Sequence, residues 1–565
     1  MEWWKDRIAY QIYPRSFQDS NGDGIGDIRG IISRLDELRD LGIGILWLSP
    51  VYRSPDADNG YDISDYRSID PKFGTMADME ALFGEAAKRD IRIIMDMVIN
   101  HTSDEHEWFQ KSRASREPWR DYYIWHPGKA GGGLPNNWTG FFMEKVWEFD
   151  EERREYYLHL FHRKQPDLNY KNPLVVEEIK KILRFWIEKG AAGFRFDVIN
   201  VIYKSSLEDG KKTLAVQGIE HFKSQEGNHA VLRELRRDVL DPCNCLSVGE
   251  TVMVDLEEAR DLSGPERKEL DMLFYFEHLE IDRVMVRFIP KKFRAAKLLK
   301  VLSKWQRGLH WNAVYLENHD QPRIVSHFGA CKKPGDHKKQ GGEPWKRSAK
   351  LLGLMELTLR GTVFIYQGQE IGMTTFDFTS LDQVKDVESR NLDRLMRKLH
   401  IPAPLRWRWI RTSSRDNART PLQWTAGENA GFTAAGAAPW LGINRNYREI
   451  NYESQKADPG SVLNFYKRLV RLRRESKTLR EGIFEPLPPP GSRTPLAAYD
   501  RRLEGEAYRI ILNFSEKPVK PPSSWIVPAG KLLVSSAERA ETTDRLLPWE
   551  GILLKLPPCK GDCTQ

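Results

Sequence analysis

A repeated unit, one apolar run followed by one amphipathic segment, constrains the fold of this chain more than any other sequence feature. Residues 91–99 are apolar except for Arg92 and Asp96, and such a run is typical of a parallel strand buried on both faces. Residues 76–89, just before it, place apolar side chains at helical spacing. Further strands are predicted at residues 8–17, 43–48 and 193–200, and at runs that end near 250, 276, 320 and 368. Eight strand-plus-helix units in series predict an α/β fold of the (β/α)8 type, a TIM barrel.

Two long stretches interrupt this alternation, and the chain changes character near its end. Residues 102–171 are rich in Trp, Tyr, Gly and charge, and they are too long for an ordinary connection, so we expect an inserted subdomain after the third strand. A second irregular stretch is expected at about residues 374–451. After a last helix at about 461–476, prolines and short alternating segments predict an all-β C-terminal domain. The predicted domains are a barrel at 1–101 and 172–480, the insertion at 102–171 and a C-terminal β-sandwich at 481–565.

The composition argues against several classes of protein. The net charge of +7 is small for 87 basic and 80 acidic residues and is dispersed along the chain, so no nucleic-acid partner is expected. No run of about 18 apolar residues predicts a membrane span, and no apolar segment near Met1 predicts a signal peptide. Five cysteines, an odd and sparse set, indicate reduced thiols. We therefore expect a cytoplasmic protein that contacts no membrane and is a monomer.

The run at residues 193–200 carries two opposite charges on one face of the predicted fourth strand. Arg195 and Asp197 lie two residues apart, so their side chains point to the same side of a strand. A neighbouring Arg favours the ionised form of an Asp, and an ionised carboxylate at a strand end can act as a nucleophile. On its own, the pair fits a structural ion pair as well.

Polar residues gather at the predicted carboxyl ends of the strands, where the chemistry of such barrels takes place. Three of them are carboxylates, namely Asp197, Glu250 and Asp320. Hydrolysis of a glycosidic bond needs one ionised carboxylate as the nucleophile and one protonated carboxyl as the acid. Glu250 has no adjacent cation in the sequence and could keep a raised pKa, while Asp320, beside His319, could bind sugar hydroxyls. Because the fourth and fifth strands are neighbours, the pair should lie close together, which favours double displacement with retention.

Four short segments at these strand ends resemble glycoside hydrolase family 13, the α-amylase family. They are DMVINH at 96–101, GFRFD at 193–197, VGE at 248–250 and NHD at 318–320. They occur in the family's order, and the resemblance extends over essentially the whole chain. It implies that Asp197 is the nucleophile, that Glu250 is the general acid/base and that Asp320 stabilises the transition state.

Other segments are similar to the oligo-1,6-glucosidase and neutral α-glucosidase subgroup of that family. They are QPDLN at 165–169, DNGYD at 58–62 and RDNARTPLQW at 415–424. The resemblance implies that Asp58 and Arg415 pair and close the pocket over a terminal glucose, which means exo action on short oligosaccharides such as isomaltose. It also implies stacking by Tyr61, hydroxyl contacts by His101, Arg195 and His319, and an aglycone wall of Phe142 and Phe161. Ordinary packing is an alternative role for the two phenylalanines.

Val198, the residue after the expected nucleophile, resembles the α-1,6-preferring type of this subgroup, whereas Ala or Thr would resemble the α-1,4-preferring type. A β-branched residue in a strand also needs no functional reason. Some positions depart from the subgroup: Tyr170 stands where Trp is common, Gln369 replaces a common Glu, Thr251 follows the acid, and residues 205–228 form a shorter stretch. Both α-1,6 and α-1,4 linkages therefore stay open.

A loop after the first predicted strand spaces possible oxygen ligands at alternate positions. They are Asp19, Asn21, Asp23, Ile25 and Asp27. This spacing is similar to the first part of an EF-hand loop without its final Glu, and it resembles a calcium loop of the same family. The resemblance implies a structural Ca²⁺ ion and no organic cofactor. A turn rich in Asx hydrogen bonds is the alternative.

Two other activities of the family stay open for this chain. A trehalose-6-phosphate hydrolase would need cations near the aglycone, and Lys204 is the candidate, although a solvated Lys is the simpler interpretation. A sucrose isomerase or other transglucosylase is the second alternative, but the chain lacks an isomerase-like RLDRD segment. An inactive transporter partner is disfavoured, because the three carboxylates are present and no membrane span is predicted.

Overall fold

The computed structural model describes residues 2–213, 216–284, 289–332, 341–527, 529–541 and 544–558. Eight parallel strands form the central sheet, which confirms the predicted barrel. They are β1 (Ala9–Ile12), β2 (Ile45–Leu48), β3 (Arg92–Met97), β4 (Gly193–Phe196), β5 (Leu246–Glu250), β6 (Met272–Phe274), β7 (Ala313–Val314) and β8 (Thr362–Tyr366). Their order in the sheet is β6-β5-β4-β3-β2-β1-β8-β7. Since β6 and β7 stand at the two ends of this order, the barrel is nearly closed.

Helices follow the strands and cover the outside of the barrel. They are Ile28–Ser33, Leu35–Leu41, Met76–Ala87, Pro173–Lys189, Glu226–Leu235, Leu256–Ser263, Ala295–Gly308, Glu343–Thr358 and Val462–Glu475. Residues 28–41 form two helices rather than one, because the backbone of Arg34 leaves the helical region at φ −113° and ψ 6°. The Arg34 side chain donates to Gln18 Oε1 and lies over the ring of Trp424, so it anchors the break to the barrel.

The connection after β3 forms an inserted subdomain, as predicted. It contains the helix Glu107–Arg113 and a three-stranded antiparallel sheet of Trp125–His126, Glu155–Leu158 and Trp147–Asp150. An antiparallel bridge between His101 and Asp167 joins the two ends of the insertion. The insertion therefore begins and ends beside the carboxyl end of β3, while its boundaries at residues 101 and 172 stay a prediction.

The stretch at residues 374–451, predicted to be irregular, contains two helices, Val387–Lys398 and Ala403–Ser413. They share a small apolar cluster that is separate from the main core. Sequence periodicity missed them because their few apolar residues are spread among many charged ones. The first helix brings Glu388 and Leu395 to the mouth of the barrel.

The C-terminal domain is a five-stranded antiparallel sheet. Its strands are β9 (Ile483–Pro486), β10 (Leu496–Leu503), β11 (Glu506–Asn513), β12 (Lys531–Ser535) and β13 (Gly551–Lys555), in the order β9-β10-β11-β13-β12. One face packs on the barrel helices Ala295–Gly308 and Glu343–Thr358, and residues such as Ile511 and Trp525 form a small core on the other face. The described residues of this domain thus form one sheet rather than the two of a β-sandwich, because barrel helices take the place of the second sheet.

The described ranges contain no helix that is both long and apolar enough to cross a membrane. Cys243 and Cys245 are free thiols, and Cys331 is buried. Cys559 and Cys563, the other two cysteines, lie outside the described residues.

Candidate active site

The three predicted catalytic carboxylates line one cavity at the carboxyl ends of the barrel strands. Asp197 follows β4 directly, Glu250 is the last residue of β5, and Asp320 lies in the segment after β7. The cavity has a volume of about 710 Å³, and the inserted subdomain and the helix Val387–Lys398 contribute parts of its wall. The fold therefore brings together three carboxylates that are far apart in the sequence.

Arg195 connects carboxylates from three neighbouring strands. Its Nη1 donates to Asp96 Oδ1 at 2.7 Å and to Asp197 Oδ1 at 2.8 Å, and its Nη2 contacts Glu250 Oε2. Arg195 pairs with Val248 in the register of β4 on β5, so its side chain reaches the end of β5. Glu250 has no adjacent cation in the sequence, but the fold brings the Arg195 guanidinium to it. One guanidinium that touches both carboxyl groups keeps them close together.

Burial raises the pKa of Asp197 to about 7, while the Arg195 guanidinium acts in the opposite direction and the Asp96 charge adds to the rise. The sequence predicts that Arg195 keeps Asp197 ionised. The effect of Arg195 has the predicted sign, but burial outweighs it, because Asp197 is only 8% exposed. Both the protonated and the ionised forms of Asp197 are therefore populated near neutral pH.

A buried hydrogen-bond network holds Tyr61 and His319 beside Arg195. Asp96 Oδ2 accepts from Trp47 Nε1 at 3.1 Å and from the Tyr61 hydroxyl at 3.0 Å. The Tyr61 hydroxyl lies 2.7 Å from His319 Nε2, and the two rings stack with centroids 5.2 Å apart. Burial lowers the pKa of His319 to about 3, so the ring is neutral. Tyr61 lines the cavity, whereas Arg195 and His319 are not among its lining residues, and their contacts with sugar stay a prediction.

Asp58 and Arg415 form the expected pair at the cavity. Arg415 Nη2 lies 3.1 Å from Asp58 Oδ1 and 2.8 Å from Asp386 Oδ1. Burial alone would raise the pKa of Asp386, but the charges of Arg415 and Arg419 lower it to about 2. Sequence reasoning missed Asp386, which lies in none of the family segments. Its side chain caps the helix Val387–Lys398, so an Asp before a helical stretch was the available signal.

Arg419 is a second guanidinium that sequence reasoning missed. Its Nη2 lies 2.5 Å from Asp320 Oδ1, and its Nε donates to the His319 carbonyl at 2.9 Å. Arg415 Nη1 lies 3.6 Å from the same oxygen of Asp320. Two cations therefore compensate the charge of Asp320 and fix its direction. Arg419 could have been identified from the sequence, because it belongs to the segment 415–424 that carries part of the family resemblance.

His101, Phe142 and Phe161 line the cavity, and their contacts with sugar stay a prediction. His101 Nε2 lies 3.1 Å from Gln165 Nε2 and 3.2 Å from the Tyr61 carbonyl. Burial lowers the pKa of His101 to about 3, so this ring is also neutral. The Phe161 ring lies 5.2 Å from the His101 ring and 5.8 Å from the Phe142 ring. The two phenylalanines thus pack on each other and also form part of the cavity wall.

Val198 lies beyond the end of β4 and has an unusual backbone conformation. Its φ of 38° and ψ of 41° are left-handed, a region that β-branched residues rarely occupy. The side chain is 6% exposed and lines the cavity. Such a conformation costs about 1–3 kcal/mol. The interpretation of Val198 as an ordinary strand residue is therefore wrong.

Lys204 is buried rather than solvated, so that interpretation is also wrong. Its Nζ lies 2.6 Å from Asp167 Oδ2 and donates to Asn100 Oδ1 at 2.8 Å. The ion pair joins the inserted subdomain to the segment that follows β4, and the hydrogen bond to Asn100 links both to the segment after β3. Lys204 does not line the catalytic cavity, so it supplies no cation to an aglycone.

The predicted calcium loop is closed by its own hydrogen bonds. Both carboxylate oxygens of Asp19 and of Asp27 accept hydrogen bonds from groups within and around the loop. Asn21 Oδ1 and each carboxylate oxygen of Asp23 accept one bond, the one to Asp23 Oδ1 coming from the Ile25 amide, so lone pairs remain there. Within the described residues, no three His, Cys, Asp or Glu side chains form a metal cluster. None of the five residues lines the cavity.

The three single-residue departures from the subgroup have structural roles. The Tyr170 hydroxyl donates to the Ile99 carbonyl at 2.6 Å, and the Gln369 amide contacts the buried Glu356 carboxylate. Thr251 lines the cavity beside the predicted acid. Thr251 is therefore the one of these three departures that lines the cavity.

Comparison with known proteins agrees with this geometry. The family of the α-amylase catalytic domain matches residues 11–482. An oligo-1,6-glucosidase from Parageobacillus thermoglucosidasius is 44% identical over 571 residues, which cover 98% of this chain and 99% of the relative. Among solved structures, an isomaltulose synthase from Klebsiella has a TM-score of 0.92 at 38% identity, with 98% and 99% of the two chains covered. A trehalose-6-phosphate hydrolase from Bacillus licheniformis has a TM-score of 0.89 at 40% identity, with the same coverage.

Replacing Asp197 by Asn tests the effect of burial on this carboxyl group. The folded-state pKa of about 7 lies above the value of about 3.9 for an unfolded chain, and the difference corresponds to at most about 4 kcal/mol. Because the pKa of Asp197 is raised in the folded state, its ionisation destabilises the fold. This destabilisation is absent below about pH 4 and complete above about pH 7. We expect D197N to have a higher Tm than the parent at pH 8 and a much smaller gain at pH 5, measured by scanning calorimetry. An equal Tm at pH 8 would contradict this account.

Proposed function

The chain belongs to the α-amylase family of glycoside hydrolases, and from that premise we propose that it is a retaining, exo-acting α-glucosidase. Its substrates are short oligosaccharides such as isomaltose, from which it releases terminal α-1,6-linked glucose; α-1,4 bonds are secondary substrates. The observation that carries the proposal is the contact of the Arg195 guanidinium with both Asp197 and Glu250 at one cavity. Retaining enzymes place their two carboxyl groups about 5–5.5 Å apart, and a shared guanidinium supports such closeness.

The roles of the carboxylates follow from double displacement. Ionised Asp197 attacks the anomeric carbon while protonated Glu250 gives its proton to the leaving glycosidic oxygen, which yields a glycosyl ester on Asp197 and frees the aglycone. Glu250 then takes a proton from water, and the water oxygen attacks the same carbon and releases Asp197. Asp320, held by Arg419 at 2.5 Å, supplies fixed negative charge near the positively charged transition state.

The closed end of the cavity supports exo action. Asp58 and Arg415 form an ion pair there at 3.1 Å, and Gln165 Nε2 lies 3.4 Å from Asp58 Oδ2. The helix Val387–Lys398, capped by the Asp386 partner of Arg415, closes the same region. An oligosaccharide can therefore enter only with its non-reducing end first. A single glucose unit then fills the space between the closed end and the bond to be cleaved.

The outer part of the cavity favours an uncharged aglycone over a phosphorylated one. Its lining includes the acidic residues Asp255, Glu277 and Glu280. Lys304 lies there as well, but it pairs with Glu277 at 2.7 Å. A phosphate dianion would meet repulsion at this wall. A neutral oligosaccharide is therefore the better candidate substrate than trehalose 6-phosphate.

Removal of the nucleophile tests the mechanism. We expect D197N to hydrolyse p-nitrophenyl α-glucoside at least about 10⁴-fold more slowly than the parent, because the covalent step is lost. The matched control is Glu277→Gln, which removes another cavity carboxylate and should keep the rate within about tenfold of the parent. Mass spectrometry after reaction with a mechanism-based fluoroglucoside should place the label on Asp197. A label on any other residue, or a D197N rate equal to the parent's, would refute the assignment.

Val198 is proposed to set the linkage preference. Its branched side chain occupies cavity space beside the bond to be cleaved, and Ala would widen that space. We expect Val198→Ala to lower the ratio of kcat/KM on isomaltose to that on maltose by about tenfold, a usual effect of a few carbon atoms in a pocket. Val201→Ala is the control, since Val201 is buried nearby but does not line the cavity. A ratio that V198A leaves unchanged would rule out this role.

The assay on the parent enzyme also separates the alternatives. Initial rates on isomaltose, maltose, trehalose 6-phosphate and sucrose should be highest on isomaltose. A preference for trehalose 6-phosphate would replace the proposed substrate, and isomerised products from sucrose would replace the proposed reaction.

We infer that the loop of Asp19, Asn21, Asp23, Ile25 and Asp27 holds a structural Ca²⁺ ion. The support is the chemistry of its donors, which are all oxygens as calcium prefers, and the lone pairs that remain on Asn21 and Asp23. The loop hydrogen bonds already shape the site, so the ion would add stability rather than create the loop. The loop lines no part of the catalytic cavity, and no step of the reaction involves it.

Calcium removal tests this inference. We expect 1 mM Ca²⁺, compared with EGTA, to raise the Tm by at least about 2 °C, because a ligand of the folded state stabilises it by mass action. Asp23→Ala should abolish the increase without changing kcat at 25 °C. The exposed Asp261→Ala serves as the control and should keep the increase. An identical Tm in Ca²⁺ and EGTA would disprove the site.

A further inference from the structure

A second cavity lies beside the mouth of the barrel and shares no lining residue with the catalytic cavity. Its volume is about 730 Å³, within the range of about 300–1,000 Å³ that is usual for ligand sites. The helix Ala403–Ser413 forms one wall, and residues 291–293 and 322–332 contribute the others. We refer to it as the basic cavity, because most of its charged side chains are cationic.

Four of these cations have no carboxylate partner within 4 Å among the residues that the structure describes. They are Lys291, Lys292, Lys332 and Arg408, all exposed and all lining the cavity. Asp282, the single acidic residue of the lining, already pairs with His327 at 2.8 Å and lies 3.7 Å from Arg283. Uncompensated positive charge around a concave surface attracts anions. Lys and Arg are also the usual ligands of phosphate groups.

Aromatic rings line the same cavity. Phe293, Trp407 and Trp409 are each half-buried, so part of every ring faces the open space. The Lys332 Nζ lies 5.4 Å from the centroid of the Phe293 ring, which places a cation and an apolar surface side by side. A half-exposed indole offers a flat apolar face to a ligand ring. The ligand that fits this arrangement has an anionic group at one end and a compact ring at the other.

The two cavities have opposite charge although they share a border. Pro322, in the wall of the basic cavity, follows Asp320 of the catalytic cavity by two residues. The helix Ala403–Ser413 ends two residues before Arg415, and its Arg411 carbonyl accepts from Asn417 Nδ2 at 3.1 Å. Because carboxylates line the catalytic cavity, a phosphorylated sugar is repelled there and attracted to the basic cavity.

We propose that the basic cavity is a binding site for a hexose phosphate. The phosphate group contacts the cations Lys291, Lys292, Lys332 and Arg408, and the apolar face of the pyranose ring packs on the indole rings of the helix Ala403–Ser413. The proposal does not depend on the substrate of the catalytic cavity, because it rests on a separate set of residues.

Isothermal titration of the full chain with glucose 6-phosphate at low ionic strength tests this proposal. We expect glucose 6-phosphate to bind more tightly than inorganic phosphate and than glucose, because only it satisfies both the cations and the rings. The double variant K292E/R408E should weaken binding by about 100-fold, since each lost charge-assisted contact contributes about tenfold. The control is Lys300→Glu, an exposed charge reversal outside the cavity, which should stay within about twofold of the parent.

The variants also separate this site from the catalytic one. K292E/R408E should keep the Tm of the parent and its kcat and KM on isomaltose, because neither residue lines the catalytic cavity. If the double variant does not fold, the neutral single variant K292Q, with an expected loss of about tenfold, takes its place. Three outcomes would overturn the proposal: no binding of glucose 6-phosphate at millimolar concentration, unchanged binding in the variants, or purely competitive inhibition against isomaltose. Equal affinity for AMP would overturn the assignment of a hexose.

Discussion

A single buried guanidinium, that of Arg195, holds together carboxylates from three neighbouring strands. It contacts Asp96 near the end of β3, Asp197 just after β4 and Glu250 at the end of β5. The Arg195 side chain is 1% exposed. One cation cannot neutralise three buried carboxylates, so at least one of them is pushed toward its protonated form. Burial is the main cause of the raised pKa of Asp197, and the neighbouring charge of Asp96 adds to the rise. The barrel supplies the constraint, because parallel strands in register leave these side chains no other direction.

The same principle operates at the closed end of the cavity with a second guanidinium. Arg415 lies within 4 Å of the carboxylates of Asp58, Asp386, Asp320 and Glu388. These residues come from loops and from the first turn of the helix Val387–Lys398 rather than from strands, and the inserted subdomain and the helix pair hold those segments in place. The barrel therefore fixes the reacting groups, while the irregular segments fix how much substrate can enter. This division is usual for barrels of this type, in which loops decide the substrate.

The strand ends and the three carboxylates can be predicted from the sequence. Each lies in a short local segment, and the alternation of strands and helices is regular. Other features depend on contacts between distant segments and could not be predicted. The contact of Arg195 with Glu250 depends on the register of β4 on β5. The burial of Lys204 depends on Asp167, which the insertion supplies. The left-handed backbone of Val198 depends on how the chain leaves β4, which no residue pattern records.

Charge also determines which sugars each part of the surface accepts. A cavity that must stabilise positive charge at the anomeric carbon benefits from carboxylates in its walls, and those walls repel anions for the same reason. Anionic sugars are therefore directed to the basic cavity, on the other side of the segment that carries Asp320 and Pro322. The helix Ala403–Ser413 borders that cavity and leads directly into Arg415. Because Arg415 lies against four carboxylates at the catalytic cavity, this short segment connects the cation-rich wall of one cavity to the electrostatic clamp that closes the other.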